Sequence, residues 1–222
     1  MLRETLLALW SRFPLALLLS RAVAVPIAYT VHELGHALAA TLLGDPTPRR
    51  EGRLTLNPFR HTDGLGFLLG VLLGFGWSRR TVFHPHRMRL PDAPGGALAV
   101  LAGPLANAAL IALGVTLMGH LGVKPLVPWS GWPTIGEFLT VLVRFNLSVV
   151  LLNALPLFPL DAYNLIHYLL PLRAAARWEQ VSGWTTAILG SGIALLMLLP
   201  PNGYATLTLP VVRWANAVFL GW

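Results

Sequence analysis

The chain contains no cysteine. That excludes a disulfide framework and any thiolate metal site, so a metal held here has only histidine, aspartate and glutamate to bind it. Charge is also scarce: 11% of the 222 residues are charged and 55% are hydrophobic. A soluble domain carries more charged surface than that, so a bilayer is the expected solvent. Lysine is nearly missing, with 15 of the 16 cations being arginine. An arginine-rich chain invites a nucleic-acid reading, but these arginines fall in short pieces between apolar runs, without a basic face interleaved with aromatics. They read instead as topology signals. No internal repeat of roughly 20 to 50 residues is visible. A secretory signal is excluded as well: "LALLLSRAVAV" ends in an A-x-A-like stretch, but Glu4, Arg12 and Arg21 break up the hydrophobic region and no polar mature start follows.

What the chain has in abundance is long apolar sequence. Stretches at 5–20, 22–43, 95–120, 135–158, 181–200 and 204–222 are each close to the roughly 20 residues a helix needs to cross a bilayer. The expected fold is an all-α polytopic membrane protein of about six transmembrane helices, forming a single membrane-embedded domain over 1–222. Its C-terminal helix pair would occupy 181–222. A seventh run, Leu65 to Trp77, would reach only about 20 Å as a helix. Arg49, Arg50, Arg53 and Arg60 precede it and Arg79, Arg80, Arg87 and Arg89 follow it. Both ends are therefore expected on the cytoplasmic side, with a re-entrant loop or β-hairpin between the second and third spans. Gly66, Gly70, Gly74 and Gly76 would permit its close packing.

The chemistry concentrates in "HELGH". His32 and His36 are four residues apart, so on a helix both imidazoles project from one face and can bind one Zn²⁺. Glu33 lies about 60° around the helix from His36, the place for a general base acting on the water that the metal activates. From this chain's own composition, chance supplies about 0.01 occurrences of the pattern. Ionisable groups inside a membrane are costly unless paired or ligated, which adds weight to a functional reading over a polar packing cluster. A catalytic zinc takes three protein ligands. Asp161 in "NALPLFPLDAYN" sits where Pro156 and Pro159 must interrupt a helix, and on spacing alone it is either the third ligand or a helix N-cap.

"HELGH", "GDPTPRREGRLTLNPFRHTDGLG", "LAGPLAN" and "NALPLFPLD" follow one another in an order and spacing that resembles the site-2 protease family of intramembrane zinc metalloproteases. The resemblance covers about residues 22–170 and implies a catalytic core there, in a minimal form without PDZ or CBS domains. It implies that His32 and His36 are zinc ligands, that Glu33 is catalytic and that Asp161 is the third ligand, one Zn²⁺ being held per chain. Asn153, Pro156, Leu160 and Asp161 match the family's N-x-x-P-x-x-x-L-D-G motif, and the resemblance assigns substrate contacts to Asn153 and Pro156. It departs from the pattern at Ala162 and Tyr163, where glycine is expected after the aspartate, and at Gly64, where relatives carry proline in H-x-D-P.

The implied activity is peptide-bond hydrolysis in membrane-spanning or membrane-anchored protein substrates, by a multi-pass protein of a prokaryotic plasma membrane with its active site toward the cytoplasm. The implied partners are a transmembrane substrate and the lipid bilayer, not nucleic acid. An unwound substrate is expected to pair with a strand edge in "EGRLTLNP". A zinc transporter, or a membrane zinc-binding protein without protease activity, is the alternative. Transport calls for alternating access and usually repeated halves, and binding alone has little use for Glu33. Among the remaining polar residues, His61 and Asp63 either approach the site from the cytoplasmic side or, the stronger expectation, hold the loop by local hydrogen bonds, and Asn107, Asn146 and Asn153 are expected to bond between helices. Arg144, deep in an apolar stretch, must snorkel, face a cavity or pair with an acid such as Glu137.

Overall fold

The computed structural model describes residues 14–123 and 132–198, with side chains described as far as 192. The expected span at 204–222 lies outside these residues, as do positions 5–13 of the first span. The described chain forms eight α-helices: α1 Leu15–Leu43, α2 Thr47–Arg50, α3 Gly64–Leu73, α4 Asp92–His120, α5 Ile135–Asn153, α6 Asp161–Leu169, α7 Leu172–Gln180 and α8 Ser182–Leu198. Three of them, α1, α4 and α5, are long and apolar enough to cross a membrane.

The expected break between the first two apolar stretches is not a helix end. Helix α1 runs unbroken through Arg21 and tolerates Pro26, whose ring only removes one intrahelical donor. Arg21 is accommodated because its guanidinium leaves the helix face to donate to the carbonyls of Val71 at 3.2 Å and Leu72 at 3.0 Å. Those are terminal carbonyls of α3 with no intrahelical partner, so a cation caps them.

The β-hairpin expectation is corrected. Among the described residues there is no strand, only an isolated antiparallel bridge between Thr62 and Ser78. Most of the short apolar run is α3, about 15 Å long. It ends at Gly74, which adopts φ +81° beside the Arg21 guanidinium. "EGRLTLNP" contains no strand edge either. Asn57 caps a 3-10 turn over Pro58–Arg60 by accepting from the Phe59 N–H at 3.1 Å. Arg53 donates to the carbonyls of Arg60, Arg79 and Arg80. One side chain thus ties the two loop halves together where a β-ladder was expected.

Helices α1, α4 and α5 pack against one another. On α1, Ala24, Ala28, His32, His36 and Ala40 are buried along one face. Small residues let this face approach α4 closely: a Cβ on Gly35 would lie 2.6 Å from the Ala102 carbonyl oxygen. Val25, Ala28, Tyr29, Phe145 and Val149 form an apolar cluster against α5, with Tyr29 and Phe145 edge to face at 5.6 Å. Helix α5 starts with a capping box of Thr134 and Glu137, so the Glu137 carboxylate is engaged at the helix start. It stops at Asn153, the prolines at 156 and 159 carry the chain through a bend, and α6 restarts at Asp161.

Candidate metal centre

The two histidines and Glu33 of "HELGH" are buried within α1. The bend after α5 brings Asp161 to them from the other end of the core. His32 Nε2 lies 3.1 Å from Asp161 Oδ2, His36 Nε2 lies 3.4 Å from the same oxygen, and the two Nε2 atoms are 3.1 Å apart. His32, His36 and Asp161 form the one cluster of potential metal ligands among the described residues. The N-cap alternative for Asp161 is not what its side chain does. Leu160 occupies the cap position of α6 without a side-chain bond, and the Asp161 carboxylate turns to the histidines.

The protons are elsewhere. His36 Nδ1 donates to the Ala99 carbonyl at 2.8 Å and His32 Nδ1 donates to Asn107 Oδ1 at 2.7 Å. A neutral imidazole with Nδ1 protonated presents a lone pair at Nε2. Asp161 Oδ2 is buried and receives no hydrogen bond, although it lies in ion-pair range of both rings. The two Nε2 atoms and Asp161 Oδ2 therefore converge in a buried space, an arrangement that a cation, or a proton on one ring, must neutralise. Two imidazole nitrogens and one carboxylate oxygen are a donor set that zinc takes, with room for a further ligand. The residues fit the metal.

Glu33 stands beside this cluster and does not join it. Its Oε1 accepts from the Ser78 hydroxyl and its Oε2 from the Thr81 N–H, both at 2.6 Å. The Thr81 hydroxyl also donates to the Glu33 carbonyl at 3.2 Å. The extended segment 75–84 that follows α3 thus runs along the HELGH helix and fixes the carboxylate. It is seated by glycines: a Cβ on Gly66 would lie 2.0 Å from the Trp77 carbonyl oxygen, and one on Gly76 would lie 2.1 Å from the Gly66 oxygen. A cavity of about 110 Å³ opens here, with His32, Glu33, His36, Asp161, Thr81 and Asn153 in its wall.

Asn153 bridges the bend, donating to the Val149 carbonyl at 3.0 Å and accepting from the Asp161 N–H at 3.4 Å. Pro156 is exposed and does not line the cavity, whereas Pro159 and Leu160 do. His61 and Asp63 are not brought to the metal donors. His61 Nε2 donates to the Thr55 carbonyl, and Asp63 Oδ1 accepts from the N–H groups of Leu65 and Gly66 to cap α3. Tyr163, one of the departures from the family pattern, is buried against α7: it stacks on Trp178 at 5.0 Å, and each side chain donates to the other's backbone carbonyl.

Comparison with known proteins finds zinc metalloproteases. Over 194 residues the chain is 33% identical to a protein of Bacillus subtilis (strain 168) named "Putative zinc metalloprotease YwhC", a match covering 86% of this chain and 85% of that one. The chain belongs to the site-2 protease family of zinc metalloproteases. It is also 35% identical over 142 residues to "Putative zinc metalloprotease Rip2" of Mycolicibacterium smegmatis, and 32% identical over 144 residues to the protein of the same name from Mycobacterium tuberculosis H37Rv. Those matches span about half of each Rip2 chain, 51% and 52%. No protein-family model matches the chain, and no solved structure matches it significantly.

Within this site-2 protease family member, several residues at the centre carry no metal-binding signature of their own and escaped the sequence reading. Ser78 and Thr81 hold Glu33, and Ala99 holds His36 through a backbone carbonyl, which no sequence pattern announces. Gly103 of "LAGPLAN" makes room for a ligand: a Cβ there would lie 2.3 Å from His36 Nε2. The motif's glycine and asparagine, spaced by four residues, were the available signal that α4 faces the HELGH helix with one side.

Proposed function

We propose that this protein is an intramembrane zinc metalloendopeptidase that hydrolyses a peptide bond in membrane-spanning or membrane-anchored proteins near the cytoplasmic face. The observation that carries the reading is the convergence of His32 Nε2, His36 Nε2 and Asp161 Oδ2 beside the buried Glu33 carboxylate. His32, His36 and Asp161 would hold one Zn²⁺ per chain. When bound, zinc would supply Lewis-acid polarisation of a substrate carbonyl and acidification of a water molecule. Glu33 accepts a proton from the attacking water and returns it to the leaving nitrogen as the C–N bond breaks and the new C–O bond forms. Ser78 and Thr81 keep that carboxylate at the cavity wall.

A membrane helix offers no free peptide group, so the substrate must unwind to reach this cavity. The extended segment 75–84, which borders both the cavity and Glu33, is the side along which an unwound strand would lie. Asn153 retains one amide proton beyond its bond to Val149 and would donate it to the substrate backbone. Pro156, exposed on the bend, would meet the substrate outside the cavity. His36 precedes the end of α1 by seven residues, about 10 Å along the helix, a depth water can reach. Arginines on both sides of α3 support a cytoplasmic location for that end of α1, with α3 re-entrant in a multi-pass protein of a prokaryotic plasma membrane.

The test is zinc content and cleavage of a panel of single-span membrane substrates by purified protein, in parallel with Glu33→Gln. The expected outcome is zinc near one per chain in both and cleavage lost in the variant. Substantial turnover by Glu33→Gln would remove Glu33 from the chemistry. Absence of zinc under metal-replete conditions would overturn the reading, and zinc flux into proteoliposomes without proteolysis would replace it with transport.

A further inference from the structure

Both histidines turn Nδ1 toward α4, but their partners differ in kind. The partner of His36 is a carbonyl, which can only accept, so its Nδ1 must carry the proton. The partner of His32 is a side-chain amide, which could present either its oxygen or its nitrogen. Something else must decide which. Asn107 Nδ2 faces the Ala28 carbonyl at 3.2 Å and Asn146 Oδ1 at 2.6 Å. Because the Ala28 oxygen can only accept, the atom turned toward it must be the nitrogen. Asn146 is oriented in the same way, its Nδ2 donating to the Leu142 carbonyl at 2.8 Å. Polarity therefore passes from two backbone carbonyls through Asn146 and Asn107 to His32. Both asparagines are fully buried, and the path crosses three packed helices.

We infer that Asn107 is a positioning residue for the metal: locked in one amide orientation by Ala28 and Asn146, it fixes His32 as the Nδ1–H tautomer and aims the Nε2 lone pair at the ion. The inference rests on the metal-centre reading above. The competing role is interhelical adhesion, since buried asparagines commonly bond between membrane helices. Two substitutions separate the roles. Asn107→Asp and Asn107→Leu both lose the donor to Ala28 and Asn146, but only Asn107→Leu loses the acceptor for His32. Adhesion predicts that they fail together, and positioning predicts that they part.

The experiment measures zinc affinity by chelator competition on the full chain in detergent, together with the visible spectrum of the Co²⁺-loaded protein. Asn107→Leu is expected to bind zinc about 10- to 100-fold more weakly with a changed Co²⁺ spectrum, and Asn107→Asp to stay within a few-fold of wild type. Wild-type affinity in Asn107→Leu, or equal weakening in both variants, overturns the inference. Should Asn107→Leu not fold, ¹⁵N-histidine spectra of the zinc-loaded wild type decide: His32 protonated at Nδ1 and metal-shifted at Nε2 is expected, and metal at Nδ1 overturns it. His36→Ala, measured in parallel, must lose tight zinc binding. Retention there would show that the metal-centre reading itself had failed and would take the inference with it.

Discussion

At His36 the facing helix leaves space for nothing larger than a hydrogen atom. Gly103→Ala places a methyl group against the imidazole, 2.3 Å from Nε2, with the HELGH helix behind the ring. The ring must move, so this smallest of substitutions is expected to remove tight zinc binding while leaving α4 helical, checked by zinc stoichiometry and circular dichroism. At Ser78 the expectation differs. Ser78→Ala removes one of the two groups that hold Glu33 and touches no metal donor. Zinc content should stay at wild-type level while kcat falls by about tenfold with KM little changed, a loss typical of a displaced reacting group. Steady-state kinetics on one cleavable substrate would check this.

The elements around the centre fall into two groups. Helices α1 and α6 carry the candidate metal donors, while segment 75–84 holds the proposed base and is seated on α3 where Gly66 and Gly76 bring backbones together. Gly66→Ala should lift that segment without disturbing the donors, giving a protein that retains zinc and loses cleavage. Loss of zinc would show instead that α3 and the donors move as a unit. The loop before α3 has its own pH sensitivity. Burial pushes the His61 imidazole below its ordinary range, so the folded loop holds it neutral and binds fewer protons than the unfolded chain. The resulting stability is complete above the unfolded value of about 6.5 and declines as pH falls toward the lower folded value. Protection factors for amide exchange at Thr62 and Arg79, corrected for the intrinsic rate at each pH, should therefore fall in weak acid, and His61→Gln should flatten that dependence.

Across the whole molecule, what could be read in advance was whatever is local in sequence. The His-x-x-x-His spacing, the apolar character of α1, α4 and α5 and the proline break before Asp161 are short-range patterns. On spacing alone Asp161 stood between ligand and cap, and only the family resemblance pointed to a ligand, because no local pattern encodes where a chain returns. The expected hairpin failed for a related reason: "EGRLTLNP" has residues that suit a strand, but side-chain bonds from Thr55 and His61 occupy its backbone at Asn57 and Thr55, and Arg53 and Asn57 bond the backbone of Arg60, Arg79 and Phe59. Arg21 looked like a span boundary because its partners, the end carbonyls of α3, lie some fifty residues away. At this scale the metal should act as a clasp between α1 and α6. Chelation is expected to lower the thermal midpoint in detergent, by an amount equivalent to about 4 kcal/mol when free zinc stands 1,000-fold above its Kd. Asp161→Ala should show no response to chelator.

The third donor follows the second by more than half the length of the chain. During synthesis, "HELGH" is therefore inserted long before Asp161 has been translated. A zinc centre divided in this way has no complete form in the partly made protein. On the proposed function, a nascent chain would carry Glu33 and two imidazoles past other unfolded membrane segments and would gain the means to cut them only when α6 docks. Competence would then be timed by the order of translation.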